Sequence, residues 1–325
     1  MNSSVKFADM RSAYGNTLAE LGMINKNIVC VGADTTDSLK TKKFGDKFPE
    51  RFFNIGIAEA NLVSIAAGLA MTGKIAFAST YAAFLPGRCL DQIRNAICYP
   101  DLNVKLVVSH AGLTVGPDGA SHQQIEDIAI MRSIPNMKVI TPSDAVSVTR
   151  LIKNIVDIPG PFYIRLARPS SEILYEENDS DFKIGKGNIL REGSDMTIIS
   201  CGLMVYKSLQ AADNLKKNGI SCRVIDCYSI KPIDRDLVIA AAKETGYIIT
   251  IEEHNYIGGL GSAVTEICSE EYPCYVKRLG IKDIFGESAR DSELNLLLEK
   301  HGLTEKEIER HVLSTLYRIK NGNLS

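Results

Sequence analysis

Short apolar runs alternate with longer amphipathic stretches along most of the chain. Residues 6–24 carry apolar positions at helical spacing and lead into the apolar run Ile28–Gly32, which reads as a strand. Residues 33–51 are polar and rich in turn formers. They follow a strand end, which is where open α/β sheets place ligands. Residues 52–55 return to a strand-like pattern, Gly56 turns the chain, and Glu59 opens an Ala-rich run, ANLVSIAAGLAM, that predicts a buried helix.

The alternation continues with strands over 74–80, 104–110, 137–141 and 162–166. Helices are expected over 84–99, through Met131, and over 143–156. A polar stretch from 169 to 187 breaks this rhythm and reads as a linker. Beyond it, strands over 197–201, 222–228, 247–252 and 274–281 alternate with helices over 205–218, 234–244, 258–270, 291–300 and 305–320. The pattern predicts an α/β protein with two parallel-sheet domains, residues 1–180 and 190–325, each long enough to bury its own core.

Composition narrows the function classes. Hydrophobic residues at 45% and charged residues at 23% describe a soluble globular protein. A net charge of −2 gives no electrostatic reason to expect nucleic acid or a membrane surface, and no apolar run is long enough to span a bilayer. The opening residues hold no signal-peptide apolar core, so the cytoplasm is the expected location. Eight cysteines are scattered without a CxxC pair, which favours reduced core thiols over a disulfide framework or a metal site.

Candidate chemistry concentrates in the loops of the first domain. Glu59 lies between apolar segments; a buried carboxylate there can hold or share a proton, and an ordinary acid at a helix N-terminus has the same placement. The loop SHAGLTVGPDGASHQQIED holds two of the five histidines, His110 and His122, with Asp118 between them. A strand end, a glycine-rich loop and a helix place such side chains in a cleft, where imidazoles exchange protons with hydroxyls or oxyanions near neutral pH. Tyr81 and Phe84 lie three apart, the spacing of a core pair or of one aromatic wall. Arg165 and Arg168 end a buried strand and need anionic partners; a structural pairing is preferred for Arg165. The second domain offers GGLG before a helix and His254 just ahead of it, a phosphate cradle or tight strand–helix packing.

NIGIAEANLVSIAAGLA resembles the pyrimidine-binding domain of thiamine-diphosphate enzymes of the transketolase family, and the loop from His110 through IEDIAIMRSIPNM resembles the transketolase substrate loop. The resemblance implies that Glu59 bonds the ring nitrogen of the cofactor's aminopyrimidine, with Phe84 and Tyr81 forming its aromatic pocket and Asp34 near it. It further implies that His110 and Asp118 contact substrate hydroxyls, that His122 faces the donor carbonyl or phosphate end, and that Arg168 and Ser38 contact the phosphate. Glu59, His110 and His122 are then the catalytic candidates. Gly87 replaces an aromatic common in the family, Ala111 and Gly112 depart from the family pattern beside His110, and Arg88 with DQIRN is closer to deoxyxylulose-phosphate synthases and 2-oxo acid dehydrogenase beta subunits.

The GDG motif through which the family holds Mg²⁺ and the diphosphate does not occur. The resemblance therefore implies the C-terminal subunit of a split transketolase. Such a subunit moves a two-carbon ketol unit from a ketose phosphate to an aldose phosphate. It would need thiamine diphosphate, with Mg²⁺ ligands supplied by an N-terminal partner subunit carrying GDG, in a two-fold heterotetramer; no metal ligand is assigned to this chain. A split synthase-like or dehydrogenase beta-type subunit, and a non-catalytic regulatory subunit, are the alternatives.

Overall fold

The computed structural model describes residues 6–176 and 182–322. The first part of the chain runs β1 (Phe7–Ala8), α1 (Met10–Ile24), β2 (Ile28–Gly32), α2 (Lys42–Lys47), β3 (Phe52–Asn54), α3 (Glu59–Met71), β4 (Ile75–Tyr81), α4 (Leu90–Gln92) and β5 (Val104–Ser109). It continues through α5 (Asp127–Ser133), β6 (Lys138–Ile140), α6 (Ala145–Val156), β7 (Phe162–Arg165) and β8 (Ser171–Glu172). Then follow β9 (Asn188–Arg191), β10 (Met196–Ser200), α7 (Met204–Lys217), β11 (Cys222–Asp226), β12 (Ser229–Lys231), α8 (Arg235–Thr245) and β13 (Tyr247–Asn255). The last elements are α9 (Leu260–Glu271), β14 (Tyr275–Ile281), α10 (Leu294–Lys300) and α11 (Glu305–Lys320).

Among the described residues β1 and β8 pair as a small antiparallel sheet, and two larger sheets have strand orders β12-β6-β7-β5-β4-β2-β3 (the first sheet) and β14-β13-β10-β11-β9 (the second sheet). Their interior strands are parallel, and β5 (VKLVVS) and β10 (MTIIS) are buried along their whole length. This is the signature of strands covered by helices on both faces. Lys105 is the one charged residue in β5: it is buried, donates to the carbonyls of Ile158 (2.7 Å) and Gly160 (3.0 Å), and burial brings its pKa down to about 7. The helix α6 is held at its start by Asp144 and Ser147, which cap one another, and buries Val148, Leu151, Ile152 and Ile155 against the sheet.

The sheets are not wholly parallel, as the strand–helix alternation alone would have them. An antiparallel strand closes one edge of each, β12 on β6 and β9 on β11. The run expected as one strand over 222–228 ends at Asp226, and the chain then crosses to the first sheet as β12. Asp226 is buried at this crossing and accepts from Ser143 Oγ and from Tyr175 OH (2.7 Å). Burial raises its pKa to about 7 against the effect of those bonds. The helix expected over 84–99 is also broken, into a 3-10 turn at Ala82–Phe84, α4, and a π-helical turn at Ile93–Cys98. Pro86 and Gly87, near the start of that run, are poor helix-interior residues. Part of the expected linker, 177–181, lies outside the described residues.

In the first sheet the chain goes from β2 outward to β3 and then back past β2 to β4. That reversal creates a crevice at the carboxyl ends of β2 and β4, the place where open α/β sheets bind ligands. The second sheet closes one side of it: the Glu253 carboxylate accepts from Thr114 N–H (2.7 Å) and Thr114 Oγ1 (2.8 Å), and Asn255 N–H donates to the Ile125 carbonyl (2.7 Å).

Candidate active site

The residues singled out in the sequence lie on loops that leave the carboxyl ends of successive strands of the first sheet. Asp34 and Ser38 follow β2, Glu59 follows β3, Phe84 follows β4, His110 follows β5 and Arg168 follows β7, while Tyr81 is the last residue of β4. Glu59 is the first residue of α3 and is only 6% exposed. Its Oε2 accepts from Arg88 Nη1 at 3.3 Å, and the same guanidinium lies 4.3 Å over the Phe84 ring. A planar cation is thus held between a buried carboxylate and an aromatic face.

From Phe84 a continuous aromatic and imidazole wall extends across the crevice. Phe84 meets Tyr81 at 5.6 Å between ring centroids and meets His122 edge-on at 5.2 Å. Tyr81 stacks on His110 at 4.0 Å and donates from its hydroxyl to Ser38 Oγ at 2.8 Å. His110 has φ +59, a conformation that costs a non-glycine residue energy. Its Nδ1 pairs with Ser109 Oγ at 2.8 Å. Burial, then the nearby charges of Arg11, Arg168 and His122, bring its pKa down to about 3. The His110 imidazole is therefore neutral around pH 7, with one nitrogen that donates and one that accepts.

The remaining candidates lie around this wall. Asp34 donates its N–H to Asn54 Oδ1 (2.9 Å) and helps line an open cavity of about 310 Å³ with Ser38 and Phe52. Asp118 is exposed at the tip of its loop, where its charge acts on Arg168. Arg168 itself is engaged: Asp291 takes both guanidinium nitrogens, at 2.6 and 3.3 Å, and its hydrogen bond raises the arginine's pKa. Asp291 comes from the far end of the second sheet's unit, and no local sequence signal marks it. Ser109, beside His110, was equally unmarked.

Three side chains have structural partners. Arg165 is buried, bonds Asp127 Oδ2 at 2.8 Å and donates to the Glu253 carbonyl at 2.9 Å, so the preferred pairing is the one observed. At GGLG the helix N-terminus is filled by Glu252, whose carboxylate accepts from Leu260 N–H (2.7 Å) and Gly261 N–H (2.8 Å). A Cβ on Gly259 would collide with that carboxylate. Tight strand–helix packing is thus what the glycines serve. His254 Nε2 accepts from Ala129 N–H at 3.3 Å, which ties α5 to β13.

The family models for "Transketolase, pyrimidine binding domain" and "Transketolase, C-terminal domain" match residues 6–172 and 185–308. A protein of Methanocaldococcus jannaschii described as a transketolase C-terminal section is 46% identical over 312 residues, covering 95% of this chain and 97% of its own. The chain belongs to the transketolase family. It corresponds to the C-terminal section of a split, two-subunit enzyme of that family. The 6-deoxy-6-sulfo-D-fructose transketolase subunit SqwH of Clostridium sp. strain MSTE9 is 40% identical over 301 residues, 93% of this chain and 92% of that one. A solved structure described as a split gene transketolase, inactive beta4 tetramer, superposes with a TM-score of 0.87 at 46% identity, covering 96% of this chain and 99% of that one. Family membership makes this chain part of a thiamine-diphosphate transferase for two-carbon units. No helix among the described residues is long and apolar enough to cross a membrane.

The low pKa of His110 has a measurable sign. Between about pH 6.5, the ordinary histidine value, and about pH 3, the unfolded chain binds a proton that folded His110 refuses. Stability contributed by this site therefore falls as pH drops through that window. By NMR, the His110 ring resonances are expected to stay flat from pH 8 to pH 5; a midpoint near 6.5 would contradict the buried, neutral assignment.

Proposed function

We propose that this chain supplies the aminopyrimidine pocket and most of the sugar-binding wall of a transketolase whose Mg²⁺ and diphosphate ligands belong to a separate subunit. The observation that carries the proposal is the Glu59–Arg88–Phe84 arrangement. A flat, hydrogen-bonding cation already rests on the Phe84 face against the buried Glu59 carboxylate, so the residues present suit a flat heteroaromatic ring with a protonatable nitrogen. The family's GDG motif does not occur in the sequence, and on that ground the Mg²⁺ and diphosphate are assigned to the partner. The inactive beta4 tetramer of a similar protein supports that division.

When bound, thiamine diphosphate supplies the electron sink for carbon–carbon cleavage and transfer. The chain's own residues bind, orient and move protons. Glu59 holds or takes a proton at its carboxylate, in a setting where burial strengthens its bonds. Phe84 and Tyr81 fix the plane of the ring they face. Neutral His110, aligned by Ser109, donates to or accepts from a sugar hydroxyl, and His122, against Phe84, does the same nearer the reacting carbonyl. In this reading the donor is a ketose phosphate and the acceptor an aldose phosphate. Arg168 takes the terminal anion in the bidentate manner it now shows toward Asp291. The relative named for 6-deoxy-6-sulfo-D-fructose takes a sugar with a terminal sulfonate, another anion a guanidinium can hold.

Glu59→Gln in the reconstituted two-subunit enzyme is expected to lower the rate by at least about a hundredfold, the scale of a lost general acid–base, while the subunits still co-elute. An unchanged rate would support a non-catalytic, regulatory subunit instead. Asp291→Asn should free Arg168 and lower KM for a phosphorylated donor about threefold, the scale of one exposed ion pair, with KM for hydroxypyruvate unchanged. Equal effects on both donors would remove Arg168 from the anion role.

A further inference from the structure

The geometry points to a second anion site, separate from the crevice: a cavity of about 630 Å³ between β14, the turn after α10 and the start of α11, built to take a small phosphorylated molecule. None of the crevice residues discussed above lines it. Its volume falls in the range of small-molecule sites.

The wall carries five permanent cations, Lys277, Arg278, Lys282, Lys300 and Arg310, against two carboxylates, Glu299 and Glu307. This surplus sits on a chain whose net charge is −2, so it is concentrated rather than a reflection of composition. Part of the wall is internally satisfied. Glu307 is bonded by Arg310 at 2.9 and 2.6 Å, Lys300 reaches Glu287 at 2.5 Å, and Arg278 donates to the Tyr256 carbonyl (3.2 Å) and Ser262 Oγ (3.1 Å). Lys277 and Lys282 hold no ion pair among the described residues. Unpaired lysines on one concave surface repel each other, and an anion between them relieves that repulsion.

Two histidines of the same wall report the field. His311 is pushed below the ordinary histidine value by burial first and then by Lys277 and Arg310, with Lys282 adding to them and Glu307 opposing. His301 is 7% exposed and its Nδ1 has no hydrogen-bond partner. Its pKa is likewise lowered, by burial and by Lys300, against Glu287. A phosphate group satisfies several donors at once and its charge adds to each bond, which makes it the ligand chemistry this wall selects.

The probe is sodium pyrophosphate, titrated calorimetrically into the full chain at constant ionic strength without Mg²⁺. One anion is expected to bind per chain, saturably. The pair Lys277→Glu/Lys282→Glu should weaken it by about tenfold or more, and the neutral pair Lys277→Gln/Lys282→Gln by a smaller factor. A control pair on exposed lysines elsewhere, Lys26→Glu/Lys216→Glu, should leave it unchanged. Absence of saturable binding, retention of affinity in the Lys277/Lys282 variants, or an equal loss in the control pair would each overturn the site. The neutral pair removes the same cations without adding repulsion, so it separates loss of the site from damage by the new carboxylates.

Discussion

A carboxylate buried at a helix start must be given partners or give up its charge, and the crevice of the first sheet is arranged around how Glu59 meets that demand. Apolar helix α3 behind it excludes water, and Arg88 supplies the one charged bond in front. Arg88 in turn is held on Phe84, and Phe84 begins the wall that runs through Tyr81 to His110 and meets His122 edge-on. Glu59 and His110 are buried, where an unpaired polar group is costly, whereas Arg88 reaches Glu59 from a largely exposed position. In the proposed reading a ligand takes the place of Arg88 at the carboxylate, which favours a flat group that is cationic or able to donate. That preference is a selection rule in itself.

The second sheet takes part in the site through polar contacts rather than by contributing the wall. Glu253 is buried, and burial raises its pKa while its bonds from Thr114 and the charge of Arg165 offset part of that. Its carboxylate fixes the loop between His110 and His122 at Thr114. Gly112, with φ +85, leaves room for it, since a Cβ there would press on Glu253. Gln123 adds bonds to the carbonyls of Leu113 (2.8 Å) and Glu287 (2.9 Å). The loop that carries both histidines is thus shaped by groups of both units, so a substitution in the second sheet can alter the geometry of the first.

Much of this was legible from sequence because it rests on local pattern. The strand and helix runs follow periodicity; most interior strands lie within a residue of where apolar runs place them, while β11 stops two residues early and β13 runs three residues further. Glu59 and the His110–His122 loop were conspicuous because polar groups stood among apolar or glycine-rich residues. What pattern could not convey is contact across long separations. Asp291 on Arg168 and Glu253 on Thr114 join residues 123 and 139 positions apart, and neither has a signature at its own position. The antiparallel edge strand β12 is three residues of another unit's chain, too short for periodicity to assign. GGLG could be read for a phosphate or for packing, and only the location of Glu252 decides it.

The division of labour between two polypeptides is the central claim, and cofactor binding tests it directly. Calorimetric titration of thiamine diphosphate with Mg²⁺ into the purified chain, and then into the chain with the partner subunit proposed to carry the GDG motif, is the measurement to make. Negligible binding to the chain alone and firm, Mg²⁺-dependent binding to the pair is the predicted result. Firm Mg²⁺-dependent binding by the chain alone would contradict it, because this polypeptide would then hold the diphosphate without help.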